Sequence, residues 1–328
     1  MVFARGRQSV LVLCVSAMLT GCTAVQEPHE IEDLAVFGNL RTLEIAPVLL
    51  AAQQVHSPPI EVRRGGIPNL FGEDSGPNET AGRADVGTHA ETQALRYSLR
   101  HPDLRIILTV AEGHYRIVAR RSAGIARLTD LRGKRIATYE PTSAGYFLHR
   151  MLEQAGMTYD DVTVVRAPGL DEVPDLIASG EVDAVAIWEP ASERARQALG
   201  DDAIEFGGEG VYRELFNLNT TSSALANPEK RAKIVSFVRA IIRATEQIED
   251  DPEIAWPLVA EAGNFALQDV EDAWPHHTFP AALAPDILEV LVGEEAWLAA
   301  MESREPRPRE ELAALIDPSI VEEARRAP

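Results

Sequence analysis

The sequence predicts an α/β protein of two lobes, each a mostly parallel sheet flanked by helices, with extended segments crossing between them as a hinge. Two observations carry that prediction. The stretch GRADVGTHAE, Gly82 to Glu91, returns further along the chain as GEVDAVAIWEP, Gly180 to Pro190, and runs that read as strand and helix alternate in the same order around each copy. Alternating strands and helices imply parallel sheets covered on their faces, and such sheets hold ligands at the carboxyl ends of their strands. With 328 residues, the chain is long enough for two lobes of ordinary size.

The first residues read as an export signal. Arg5 and Arg7 precede the apolar run Val10 to Leu19, which is too short to span a bilayer. Leu19-Thr20-Gly21-Cys22 resembles the lipobox of bacterial lipoproteins, which implies a signal peptide over 1–21, lipidation at Cys22 and a tether over 22–39. Cys14 lies in the signal peptide, so the exported chain has no second cysteine and no disulfide.

Each half then reads strand, Glu, Pro, helix. Leu43 to Pro47, LEIAP, precedes VLLAAQQ, and Arg135 to Pro141, RIATYEP, precedes TSAGYFLHRMLEQAG, whose Tyr146, Phe147, Met151 and Leu152 fall at helical spacing. The β-branched runs Ile60 to Gly66 and Val162 to Gly169 form second strands, each ending in Arg and then Gly. The repeated stretches supply the third strands, ADVGT and VDAVAIW, followed by the helices ETQALRYSL and ASERARQAL. In both, the Gly is expected to end a helix in a left-handed turn and the Asp to enter the strand, which makes the repetition architectural.

Asp103 to Arg120 holds two extended runs read as the crossing between lobes, and Phe216 to Ala224 reads as the return. Asn227-Pro228-Glu229 supplies a cap, a first-turn proline and an acid ahead of the amphipathic helix AKIVSFVRAIIRATEQI. The remaining chain reads as helical, with Trp256, Trp274 and Trp297 in the core. These boundaries give lobe one over 40–110, lobe two with hinge crossings at both ends over 111–222, and C-terminal helices returning to lobe one over 223–328.

The chain carries 31 Lys and Arg against 51 Asp and Glu, a net charge of −20, so nucleic acid is excluded as a partner. His276-His277 lacks spaced acidic or cysteine partners, so no metal is expected; no cofactor is implied either. The triplets Asn78-Glu79-Thr80 and Asn219-Thr220-Thr221 match the glycosylation pattern without a context that uses it.

Three segments resemble one family. LTDLRGKRIATYEPTSAGYFLHRMLEQAG (Leu128 to Gly156), ASGEVDAVAIWEP (Ala178 to Pro190) and ANPEKRAKIVSFVRAII (Ala226 to Ile242) resemble type II periplasmic substrate-binding proteins of ABC importers. They fall in the group that includes nitrate, alkanesulfonate, taurine and thiamine-precursor binders. The turn-rich Ile67 to Ala81 departs from the pattern, which usually has a helix there. The resemblance implies the type II fold and a monomeric lipoprotein on the extracytoplasmic, periplasmic face of a membrane. It also implies an ABC permease and its ATPase as partners, and capture of a small polar or zwitterionic solute, sulfonate-, taurine- or pyrimidine-like, by hinge closure. An enzyme acting on a pyrimidine or small carboxylate is the alternative on the same fold. Against it stand the export signal and the lack of a nucleophile or metal motif.

Candidate ligand residues lie at strand ends. Thr142-Ser143-Ala144 opens a helix after a strand, so hydroxyls and free amides are placed for an anion, or serve as a plain N-cap. Trp188-Glu189 offers an aromatic wall and a carboxylate, or a buried Trp with a capping Glu. Thr88, His89 and Glu91 end the matching strand of lobe one, where His89 could donate to an anion, stack on a ring or fill the core. Glu112, His114 and Tyr115 lie on the crossing segment. Several carboxylates beside helix N-terminal donors suit a zwitterion or a heteroaromatic better than a bare inorganic anion.

Overall fold

The computed structural model describes residues 1–2, 34–73 and 79–326, and the signal peptide, Cys22 and most of the tether lie outside them. The strands are β1 (Val36–Gly38), β2 (Val62–Arg64), β3 (Val86–Ala90), β4 (Leu104–Gly113), β5 (Arg116–Arg120), β6 (Arg135–Thr138), β7 (Thr163–Arg166), β8 (Ala184–Ile187), β9 (Ala203–Gly207), β10 (Glu214–Thr221) and β11 (His277–Thr278). They form a six-stranded sheet, β11-β4-β10-β3-β1-β2, and a five-stranded sheet, β7-β6-β8-β5-β9. In the first, β2, β1 and β3 run parallel and β10 pairs antiparallel to β3. In the second, β7, β6 and β8 run parallel and β5 pairs antiparallel to β8. The two-lobed α/β fold is thus present, and the internal repeat is a repeat of sheet topology.

The helices are α1 (Ala46–Leu50), α2 (Ile67–Leu70), α3 (Glu91–Ser98), α4 (Ser143–Gln154), α5 (Val173–Ala178), α6 (Ala191–Leu199), α7 (Ser222–Ala226), α8 (Pro228–Asp250), α9 (Trp256–Gly263), α10 (Leu267–Ala273), α11 (Ile287–Met301), α12 (Arg309–Ala313) and α13 (Ser319–Arg326). Long α8 forms as its signals require: Asn227 Oδ1 accepts from the amides of Glu229 and Lys230, Pro228 opens the first turn, and Ile234, Phe237, Val238 and Ile241 are buried on one face. The α8 helix packs on α1 and α13.

Four sequence expectations need correction. The first strand is Val36–Gly38, inside the expected tether, because Phe37 is fully buried; LEIAP is a buried turn into α1. The return comes earlier than Phe216: strand β10, placed in lobe two by the expected boundary at 222, pairs with β3 and β4 in the first sheet, and the crossing is the Gly-rich segment 208–213. An extended apolar run reads the same in either sheet, so only partners decide its lobe. Gly180 follows α5 at φ +78°, as expected, whereas Gly82 at φ +143° follows a loop. Finally, the C-terminal helices serve both lobes, since α10 packs on α6 and α11 lies between α3 and Tyr146 of α4. Trp297 is buried there, while Trp256 and Trp274 are half-buried against the first lobe's core.

Candidate functional site

The chain leaves the first sheet at Gly113, enters the second at Arg116, and returns between Gly207 and Glu214. Between the lobes lies a cavity of about 50 Å³ lined by Asn39, Thr42, His89, Ala90, Gln93 and Phe216 from the first lobe, by Thr142, Ser143 and Trp188 from the second, and by Glu214 at the end of the return crossing. The carboxyl ends of β1, β3, β6 and β8 meet there, as the topology of parallel sheets dictates. The cavity holds only a few water-sized groups. A larger solute requires the lobes to part.

Donors dominate its walls. The first intrahelical bond of α4 runs from the Tyr146 amide to the Thr142 carbonyl, leaving the preceding amides at the helix N-terminus. Thr142 turns its hydroxyl to the Tyr139 carbonyl at 2.6 Å and so does not cap α4. The Ser143 hydroxyl lies 3.1 Å from that of Tyr115 and 3.5 Å from Glu214 Oε1. The Trp188 indole nitrogen is buried with no hydrogen-bond partner, and its ring leans on Tyr139 at 5.7 Å. His89 accepts from the Ala90 amide at 3.1 Å through Nδ1; burial and nearby Arg96 push it down to about 4, so it is neutral at physiological pH.

Not every expected residue reaches the cavity. Glu189 turns away, accepting from the Glu193 amide at 2.9 Å and pairing with Arg116 at 2.9 Å; burial pushes it up to about 7 against the pull of Arg116. Glu91 accepts from the Tyr212 hydroxyl at 2.6 Å and the Leu215 amide at 3.0 Å, tying α3 to the return crossing. Glu112 pairs with Arg213 at 2.9 Å. His114 lines a separate cavity of about 540 Å³ with Tyr146, Arg150, Tyr212 and Arg213. Thr88 accepts from the Asn39 amide at 3.2 Å, and Ala144 is buried in the first turn of α4. The carboxylates expected around the ligand are therefore consumed as structural ties.

Glu214, which the sequence reading misses, is the carboxyl that does face the cavity. It is 4% exposed, and its Oε2 lies on the same side of Gly113 as Glu44 Oε1: a β-carbon there would sit 3.0 Å from the first and 3.1 Å from the second. Glu44 Oε1 is 3.6 Å from His277 Nε2, and both side chains are 1% exposed. Glu214 and Glu44 thus lie together, with His277 against Glu44. Burial, together with the charges of Glu44 and Glu91, pushes Glu214 far above the usual carboxylate range. Burial also opposes the Glu44 charge, but His277 outweighs it and holds Glu44 low; Glu44 in turn raises His277. These directions favour the proton on Glu214 and the charges on Glu44 and His277. Glu214 lies at the first position of a strand with no local motif around it, so only the fold reveals it.

The lobes are joined beside the cavity. Arg41 pairs with Asp171 at 2.8 Å, and the Gln93 and Arg96 side chains donate to the Pro141 carbonyl, each at 3.3 Å. No helix among the described residues is long and apolar enough to cross a membrane.

Comparison with known proteins bears on this arrangement. The family described as NMT1/THI5 like matches residues 72–255. A Brucella abortus protein classed as a binding protein is 30% identical over 151 residues, 43% of this chain and 46% of its own length. The chain thus spans about half the length of the curated relatives it matches. Among solved structures, the alkanesulfonate-binding protein SsuA of Xanthomonas axonopodis pv. citri bound to MOPS is similar at TM-score 0.62 and 18% identity, over 87% of this chain and 98% of that one. The periplasmic aliphatic sulphonate binding protein SsuA of Escherichia coli is similar at TM-score 0.66 and 16% identity, over 85% and 91%. The desulfurization enzyme DSZB is similar at TM-score 0.60 and 15% identity, over 89% and 99%. At such identities the likeness establishes the fold and leaves the ligand open.

Proposed function

The chain belongs to the NMT1/THI5-like family, and from that premise we propose that it is the solute-binding component of an ABC import system. It would be exported, anchored outside the cytoplasm through lipidated Cys22, and would deliver a small polar or zwitterionic solute to a permease and its ATPase. The observation that carries this reading is the cavity, whose walls come from both lobes and present the α4 N-terminus, an unpartnered indole NH and Glu214 to one small space. A group of oxygens placed there would bind both lobes at once, which is how solute energy favours the closed form. Micromolar capture requires only about −8 kcal/mol. A few hydrogen bonds to an ionised group in a dry cavity suffice for that.

The fold is shared with an enzyme, so binding without turnover is the test. A thermal-shift screen against sulfonates, nitrate, pyrimidines, amino acids and aromatic acids should give a hit, since a hundredfold excess over Kd contributes about 2.7 kcal/mol. Recovery of the solute unchanged is expected. Its conversion to product would support the enzymatic alternative, and silence across the panel would count against solute capture.

A further inference from the structure

Glu214 lines the cavity, and its two oxygens have different neighbours. Its Oε2 lies on the same side of Gly113 as Glu44 Oε1, and its Oε1 is directed toward Ser143, at 3.5 Å the weaker of that hydroxyl's two contacts. Oε1 is therefore an acceptor held among donors. Around it stand Glu44 before α1, Glu91 on α3, Glu294 on α11, Tyr115 on the first crossing, Tyr212 on the second, His89 at the end of β3 and His277 on β11. His277 is the one imidazole paired with an acid of this group, and it faces Glu44. Within this cluster of described residues His277 is already set against Glu44, so a second negative charge at Glu214 is left without a countercharge there. A solute can bring one.

Building on the importer reading, we propose that Glu214 selects the solute: a short zwitterion, an amino sulfonate or amino carboxylate, whose acid oxygens take the α4 amides and the Trp188 NH and whose ammonium pairs with Glu214. The solute is short because the acid and ammonium positions are close, Ser143 Oγ and Glu214 Oε1 being 3.5 Å apart. The proton balance is explicit. The carboxyl of Glu214 gives its proton to solvent, the ammonium keeps its own, and the resulting carboxylate accepts from the ammonium. Binding therefore releases protons, up to about one per solute.

The test is calorimetric titration of the whole protein at neutral pH in two buffers of different ionisation enthalpy. The probes are taurine against ethanesulfonate, and β-alanine against propionate. The expected result is that the amine-bearing member of the favoured pair binds more than about tenfold tighter, with proton release visible as a buffer-dependent heat. The favoured pair distinguishes sulfonate from carboxylate. In Glu214→Gln the proton release should vanish and the two members should converge. The buffer dependence of the wild-type protein tests the idea even where that variant folds poorly. Equal binding of both members, or tight binding of the amine with no proton released, overturns the role of Glu214. If other solutes bind while all four probes fail, the zwitterion class is overturned and the importer reading stands. If nothing binds at all, the importer reading falls and this inference with it.

Discussion

Arg41 of the first lobe and Asp171 of the second meet at 2.8 Å beside the cavity, and Asp171 also holds Arg194 of its own lobe at 3.1 Å. The pair joins the two lobes, so under the proposed hinge closure it forms only while they are together. Both side chains are partly exposed, which places its worth at about 0.2–1 kcal/mol. Arg41→Ala is expected to weaken solute binding by up to about fivefold, less at high salt. Affinity measured at two ionic strengths checks this; equal losses at both would mean that the pair contributes through packing and not charge.

Trp188 is half-buried, with its indole nitrogen enclosed and unpartnered. Trp188→Ala should lower solute affinity by more than about tenfold while the unliganded melting temperature stays nearly unchanged. A large loss of unliganded stability would make Trp188 a core residue.

Burial raises Glu91, burial together with neighbouring acids pushes Glu214 and Glu294 far above the usual carboxylate range, and His277 is raised by Glu44 against the cost of its burial. Each therefore binds its proton more tightly folded than unfolded, so its contribution is complete below the unfolded pKa and is lost as pH rises through the folded value. The depressed histidines His89 and His276 add stability as pH rises toward their unfolded value, so it is above about pH 7 that unfolding midpoints should fall as pH rises. Glu214→Gln should flatten that slope. A midpoint that climbs over this range would show the cluster to be ionised.

Gly113 is tightly enclosed, because a β-carbon there would meet Glu214 Oε2 and Tyr115 Cε1 at 3.0 Å and Glu44 Oε1 at 3.1 Å. Gly113→Ala is expected to destabilise the unliganded protein by about 1–3 kcal/mol. Chemical denaturation measures it.

The sequence carried most of the architecture. The repeated aspartates explain why: Asp85 Oδ2 accepts from the Ala35 amide at 3.1 Å, and Asp183 Oδ2 accepts from the Arg135 amide at 2.9 Å, so each ties the first and third strands of its sheet. Such a local device repeats visibly. Strand-end residues Thr142, Ser143, Trp188 and His89 were likewise placed at the cavity by topology alone. The carboxylates were not legible in the same way. Glu189, Glu91 and Glu112 occupy suggestive positions yet turn to Arg116, Tyr212 and Arg213, whereas Glu214 and Glu44 meet across a crossing that joins distant segments. Side-chain direction at a lobe interface depends on partners far away in sequence.

The measurement that bears most directly on solute capture is calorimetric titration of the screened solute into the wild-type protein and into the double variant Ser143→Ala, Trp188→Ala, with unfolding midpoints recorded for both. One solute per chain is predicted for the wild type, and affinity weaker by more than about a hundredfold for the folded double variant. Unchanged affinity in that folded variant would place the solute elsewhere and contradict the assignment of the cavity.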